Sequence, residues 1–459
     1  MSGADRSRLP VPGSDPPFHF PRVLRRSLAN GLELCAVTHR SVPLVAMVLL
    51  VPGGSSVDPA DAYGLVSMTA GLLDEGSRGQ SALEIADRVA RIGGDLDLDA
   101  GVDAVMVGMT TLDRFFETGL ALVHEIVTAP NLANDDFNRI RNLRLERLRQ
   151  MKDHAAALAD RAFARVLYGA HPYGHLSLGT EAALRAMTVE RARDLHAAMF
   201  TPAGSTLIVV GDRPEEALLD AAQAMFESWR AASSAITIDR GAALAAPPPL
   251  PEVRLGVIQR PGAAQSELRI GHACARRSTP DYHVLLVLNT ILGGDFVSRL
   301  NLNLRERNGF TYGVRTGFNL RRGVGPFVMQ TSVGTDVTGR AVAEALSEIR
   351  DIAAARPPSA EEVALAFASV SKGYPRGFET AGQVARSVAQ LALHGLPDSY
   401  FEDFVPRLAQ VTAADVTRAA QRYLDPAKMT TLIVGDLDKI ARSLPGLGLG
   451  AHQALTPEF

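Results

Sequence analysis

Four stretches of the chain carry side chains whose types and spacing could do chemistry. "HPYGH" sets His171 and His175 four residues apart, the spacing at which two imidazoles on one helix face grip a zinc ion. Pro172 and Gly174 argue instead for a loop, in which that helical geometry is lost. "DLDLD" puts Asp95, Asp97 and Asp99 on one strand face. A calcium loop would want glycine at the sixth position and glutamate at the twelfth, and those positions hold Ala100 and Met106, so a solvated strand face is expected. Arg139, Arg141, Arg144, Arg147, Arg149 and Lys152 make a basic helix interrupted by Glu146. It could line a chamber attractive to acidic peptide, although a solvated face is the plainer reading. The fourth stretch, "GGDFVSRLNLNLRERNGFTYGV", holds Arg305 and Tyr312 seven residues apart. Taken singly, such an arginine is solvated or paired with its neighbour Glu306, and such a tyrosine packs its ring with a wet hydroxyl. Neither a Gly-x-Ser-x-Gly nucleophile motif nor a phosphate loop occurs.

The elements that position these residues belong to an ordinary globular chain. It has 459 residues, 46% hydrophobic and 21% charged, enough for about two to four compact domains with sizeable cores. A net charge of −3 argues against nucleic acid as a partner. The two cysteines, Cys35 and Cys274, lie in apolar runs and read as buried free thiols. The N-terminus is a polar, Pro-rich arm without the apolar core of a signal peptide. The most apolar run, Val42 to Val51, is too short to span a membrane. A cytoplasmic location is the expectation.

The chain is written twice. "MTVERARDLHAAMFTPAGSTLIVVGD" (Met187 to Asp212) and "VTAADVTRAAQRYLDPAKMTTLIVGD" (Val411 to Asp436) each run from a threonine-capped amphipathic helix through a proline to a β-branched strand and Gly-Asp. Earlier in each half Tyr63 pairs with Tyr282 and Leu73 with Leu292. Such ordered agreement implies duplication of a unit of roughly 200 residues, too long for a solenoid repeat. The expected division is a polar arm at 1–22, a first domain at 23–230, a small-residue and Pro-rich linker at 231–252, a second domain at 253–440 and a tail at 441–459. "PLVAMVLLVPGG" reads as a buried strand, "SALEIADRVARIGG" as a helix opened by a Ser81–Glu84 capping box, and Asp135 to Gly169 as one long helical run. The fold class is α+β: two tandem homologous domains, each a mostly antiparallel sheet covered by helices.

From about Leu28 to Asp438 the sequence resembles the insulinase/pitrilysin-type zinc metallopeptidases, in particular the two-domain branch that includes the mitochondrial processing peptidases. In that family the first domain carries His-x-x-Glu-His on a helix introduced by Gly-Leu-Ala and followed by a Gly-Thr turn. Within "YGLVSMTAGLLDEGS", Gly64, Leu65, Gly76 and Ser77 fit the frame, but Ser67, Ala70 and Gly71 stand at the first histidine, the glutamate and the second histidine. Serine is a poor zinc ligand, and alanine and glycine have nothing with which to ligate or accept a proton. Glu146 falls in the window of the family's third ligand. Gly71 is expected mid-helix, at a cost of roughly 1 kcal/mol against alanine. No cofactor or metal is expected in this chain.

The resemblance keeps the second-domain pattern. Gly293, Gly294, Ser298, Arg299, Leu300, Leu304, Arg305, Glu306, Gly309 and Tyr312 match it, and Arg305 and Tyr312 have the spacing of the family's Arg/Tyr pair. It implies that these two residues reach a zinc site, hold substrate backbone and donate to the oxyanion that forms as water attacks a peptide carbonyl. The leading expectation is a non-metal-binding subunit of a heterodimeric zinc metalloendopeptidase, not active alone. Its partner would be a homologous subunit with an intact zinc motif, and its substrate a peptide. The alternatives are a catalytically inactive structural or peptide-binding scaffold, comparable to the core subunits of the respiratory cytochrome bc1 complex, and an independent metalloenzyme using other ligands.

Overall fold

The structure, a computed structural model, describes residues 18–456 other than 235 and 240 and the side chains of 242 and 243. Most of the expected N-terminal arm lies outside the described residues. In the first half the strands are β1 (Leu24–Ser27), β2 (Glu33–Thr38), β3 (Leu44–Pro52), a small hairpin of β4 (Gly76–Ser77) and β5 (Gln80–Ser81), then β6 (Asp95–Ala100), β7 (Ala104–Leu112) and β8 (Thr206–Gly211). The second half has β9 (Leu255–Gln259), β10 (Gln265–Ala275), β11 (Val314–Phe318), β12 (Gly325–Gly334), β13 (Thr430–Gly435) and β14 (Gln453–Ala454).

They form two six-stranded sheets, ordered β1-β2-β8-β3-β7-β6 and β11-β12-β10-β13-β9-β14. In each, one central pair is parallel, β2 with β8 and β9 with β13. The run from that pair to the far edge is antiparallel, β8-β3-β7-β6 and β13-β10-β12-β11. The topologies correspond strand for strand. The two "LIV" strands that betray the repeat in sequence are β8 and β13, in the same place in their sheets. Only the outer edge differs: β1 covers β2 by antiparallel pairing, while the C-terminal β14 joins β9 in parallel.

The first half carries helices α1 (Leu65–Ala70), α2 (Ala82–Arg91), α3 (Phe116–Thr128), α4 (Asn134–Asp153) and α5 (Ala155–Tyr168). The Ser81–Glu84 capping box opens α2. The long helical run expected after Asn134 is broken at His154, whose φ of −97° and ψ of 107° are extended. The break lets α5 leave its own domain. Leu158, Ala159, Ala162, Phe163 and Leu167 pack on Ile258, Leu432 and Val434 of the second sheet. The exchange is mutual: the second half's helix Ala381–His394 lays Val384, Ala385, Val388 and Ala389 against Ala46, Val48, Ile208 and Val210 of the first sheet. Each sheet is therefore sandwiched between its own helices and one helix of the other half. Strands β3, β8 and β13 are consequently buried on both faces, which is why they read as continuous apolar runs rather than alternating ones. A fully buried valine or leucine contributes about 1.5–3 kcal/mol, so the exchanged helices join the halves firmly.

Polar contacts fix the join. Tyr173 donates to Asp103 Oδ1 at 2.7 Å and accepts the Gly323 N–H at 2.8 Å, while Asp103 Oδ2 accepts the Arg322 N–H at 2.8 Å. Cys35 and Cys274 are both free, on β2 and β10. Burial pushes their thiols up to about 11 and about 12. Among the described residues no helix is long and apolar enough to cross a membrane.

Candidate functional site

Helix α1, where the metal motif would lie, is held at both ends by charged side chains. At its start Asp58 accepts the N–H groups of Gly64 and Val66, each at 2.8 Å, satisfying donors that a helix leaves unpaired. His175 Nε2 lies 3.1 Å from the same carboxylate, and its ring stacks on Tyr63 with centroids 4.0 Å apart. The other histidine of that loop, His171, instead accepts the Tyr173 N–H through Nδ1 at 3.1 Å. The loop reading holds, and its two imidazoles bind different partners.

At its end α1 stops sooner than expected. Gly71 is not mid-helix but the C-cap, with φ −73° and ψ 4°, so the anticipated helix-interior cost does not arise. Arg144 reaches in from α4. Its Nη1 donates to Ser67 Oγ at 2.7 Å and its Nη2 to the Ser67 carbonyl at 2.6 Å. A cation at the C-terminal end of a helix meets unpaired carbonyls and a favourable dipole. A Cβ on residue 71 would lie 3.2 Å from Arg144 Nη2, so the guanidinium stands between positions 67 and 71. Burial, and secondarily the neighbouring Arg147, push Arg144 down to about 10, which leaves it charged at neutral pH.

These residues do not fit zinc. Ser67, Ala70 and Gly71 offer no imidazole or carboxylate, and a fixed cation already fills the space between them. Glu146, in the window of a third ligand, is 59% exposed and pairs with Arg149. Among the described residues no group of three or more His, Cys, Asp or Glu is placed to hold a metal ion. The basic helix divides by face: Arg139 pairs with Glu75 and Asp136, Arg149 with Glu146 and Lys152 with Glu181, while Arg144 and Arg147 line a cavity. On the acidic strand, Asp97 binds Arg386 of the exchanged helix at 2.9 Å.

In the second half, Arg305 and Tyr312 line one cavity of about 570 Å³. Arg305 sits in a π-helical segment, Asn301–Arg307, that follows a similar turn at Thr290–Gly294. Widened turns of this kind recur at functional sites. The segment is pinned by two buried asparagines. Asn301 donates to the carbonyls of Asp295 and Val314, both at 3.0 Å, and accepts the Val314 N–H at 2.8 Å. Asn303 donates to Glu344 at 2.9 Å and Glu348 at 2.7 Å. Gly293 permits close packing on β11, because a Cβ there would lie 2.6 Å from Thr316 Cγ2. Arg299 grips Glu362 with two bonds of 2.7 and 2.8 Å and has a structural job. Arg305 pairs with Glu306 at 2.6 Å and lies over the Phe296 ring at 3.5 Å. Tyr312 is 95% exposed, and Phe296, which lines the same cavity, is also exposed.

The two regions border cavities that share lining residues. The Arg305 cavity shares Arg315 and Gln330 with a second cavity of about 420 Å³. That one shares Ala164, Leu176 and Arg321 with a third of about 540 Å³, which opens on Ser67 and Arg144. One wall of this path is β11, an edge strand. Sequence reasoning ranked a chamber-lining role of the basic helix below a solvated face, and it missed the inward turn of Arg144 and the anchoring by Asn301 and Asn303. The signals were there: Ile140, Leu143, Arg144, Arg147 and Met151 share one helical stripe, and "LNLNL" puts amides among buried leucines.

Comparison with known proteins bears on both regions. Residues 186–369, which include Arg305 and Tyr312, match the family model described as peptidase M16 inactive domain. The chain is 23% identical over 410 residues to an uncharacterised zinc protease of Mycobacterium leprae, covering 88% of this chain and 89% of that protein. It is 19% identical over 197 residues, 40% of this chain and 46% of the relative, to the non-peptidase homolog YmxG of Helicobacter pylori. The crystal structure of a peptidase M16 inactive domain from Pseudomonas fluorescens matches with a TM-score of 0.83 at 26% identity, over 90% of this chain and 98% of that one.

Proposed function

We propose, from the similarity of the chain to the insulinase/pitrilysin-type (M16) peptidases and its want of their zinc motif, that it is the non-metal-binding subunit of a heterodimeric zinc metalloendopeptidase. A homologous partner with an intact motif supplies zinc and general base. This chain supplies Arg305 and Tyr312, which bind the peptide and donate hydrogen bonds to the oxygen that becomes negative as its carbonyl is attacked. The observation that carries the reading is the asymmetry between halves. The first site has no ligating side chain and a guanidinium in its place, while Arg305 and Tyr312 line one open cavity. The exposed rings of Tyr312 and Phe296, which line the same cavity, suit burial against a partner.

Reconstitution with the partner and a peptide tests this. Arg305→Ala is expected to lower kcat by about 100-fold, the usual scale for one lost oxyanion donor, and Tyr312→Phe by a smaller factor, with assembly unchanged. Normal cleavage by both assembled variants rules the role out. The second reading, a scaffold that holds peptide without cleavage, draws on the pairing of Arg305 with Glu306. It predicts that the partner itself lacks a zinc motif.

A further inference from the structure

Some inward arginines of the chain are compensated by carboxylates. Arg269, buried under α5, bonds Asp160 at 2.7 Å and Glu267 at 3.0 Å, and Arg299 holds Glu362. The cavity at Ser67 gathers three arginines without one. It is lined by the half-buried Arg144 and Arg321 and the exposed Arg147, and no Asp or Glu is among the described residues that line it. Arg144 gives its bonds to the uncharged hydroxyl and carbonyl of Ser67. Arg321 lies over the Tyr173 ring at 4.8 Å. The carboxylate that acts on Arg144, Asp58, already accepts two backbone N–H groups and faces His175. A buried or half-buried charge without a counter-charge is costly in a stable fold and marks a place where a ligand completes the balance.

The rest of the lining fits a peptide. Ile140, Leu143, Met151 and Leu178 give the cavity an apolar side. From there the path of shared walls runs to Arg305 along β11, an edge strand whose first residue, Val314, is taken by Asn301 and whose further outer backbone groups have no strand partner. An extended chain can add to such an edge by main-chain hydrogen bonds.

We infer that the cavity at Ser67 is a carboxylate pocket, in which Arg144, Arg147 and Arg321 receive a carboxylate of a peptide lying along β11. The group is either the peptide's own C-terminus or an acidic side chain. The inference rests on the reading of this chain as a peptide-handling subunit and adds the chemical class of the peptide. The lost zinc position has become an anion site by exchanging metal ligands for a fixed guanidinium.

The test is direct binding to the full-length chain, read by fluorescence anisotropy with three short labelled peptides: one with a free C-terminus and no acidic residue, its C-terminal amide, and the amide carrying an internal glutamate. At least one acid peptide is expected to bind tenfold or more tightly than the neutral amide, as loss of a charge-assisted contact implies. Which one it is identifies the source of the carboxylate. Arg147→Gln and Arg321→Gln are each expected to shrink that preference several-fold while melting as the parent does; they are chosen because Arg144 also caps α1. Equal binding of all three peptides, no binding of any, an unchanged preference in both variants, or displacement by inorganic phosphate as effective as by unlabelled peptide overturns the inference. Because the readout is binding without cleavage, it fails or holds separately from the effect of Arg305→Ala on the reconstituted enzyme.

Discussion

Each half of the molecule sets an arginine against a cavity, and the two are held in opposite ways. In the first half Arg144 spends its hydrogen bonds on Ser67, closing the end of α1 and filling the space between positions 67 and 71. In the second half Arg305 is steadied by Glu306 and Phe296 while lining a cavity with the exposed Tyr312. The sheets beneath are the same construction, with matching strand order and an exchanged helix on the far face of each. The difference teaches that the space between positions 67 and 71 is filled by a guanidinium rather than left empty. A metal position that loses its histidines leaves a hole beside helix carbonyls, and a guanidinium satisfies both the hole and the carbonyls.

The sharpest way to break this comparison is to restore the motif. Ser67→His, Ala70→Glu and Gly71→His together are expected to retain no zinc after dialysis, because Arg144 stays where the metal would sit. Adding Arg144→Glu removes the cation and supplies an oxygen donor on the same spot, and metal analysis is then expected to rise toward one equivalent. Stoichiometric zinc in the variant that keeps Arg144 would show that the site lacked only its ligands.

A smaller effect is expected at the join. Tyr173→Phe leaves Asp103 without one donor and the Gly323 N–H without its acceptor, in a buried spot. Unsatisfied buried groups of this kind cost about 1–3 kcal/mol, read as a lower urea midpoint. A midpoint equal to the parent's would mean that the exchanged helices alone hold the halves together.

Much of this was legible in the sequence, and the limits have physical causes. Repetition of a whole domain leaves two similar strands, β8 and β13, that any alignment of the chain with itself finds. Laying Ser67, Ala70 and Gly71 on the positions of the zinc motif needs only that motif's frame. What local pattern could not give was any consequence of contact across the halves. The break at His154 follows from where α5 must pack, on a sheet whose strands lie about 100 to 270 residues further along the chain. Nor does composition alone reveal which cations on α4 face inward, since that depends on the stripe they share with Ile140 and Met151. Gly71 was misplaced for a related reason: with Arg144 capping Ser67, the helix has no need of another turn.

The mildest probe sets the halves against each other by pH. In the second half, burial, with Arg407 and Arg277 adding to it, pushes His283 down to about 4. Burial and Arg277, partly opposed by Asp103 of the first half, bring His394, at the end of the helix that this half lays on the first sheet, to about 4 as well. The ordinary value in an unfolded chain is about 6.5. The fold therefore holds both imidazoles neutral, and the unfolded chain binds more protons between those values. Stability from these groups is complete above about pH 6.5 and declines as pH falls toward 4. His124 and His196 in the first half are lowered by burial too, so the halves differ only modestly in this respect. Trp229, the one tryptophan of the chain, is buried in the first half's core and reports on that half alone. Near neutral pH its emission and the far-ultraviolet circular dichroism are expected to unfold together in urea. Near pH 5 the tryptophan transition is expected to come later than the dichroism, and His283→Asn with His394→Gln to bring the two back together. Coincident transitions at both pH values would mean that the exchanged helices make one cooperative unit of the two halves.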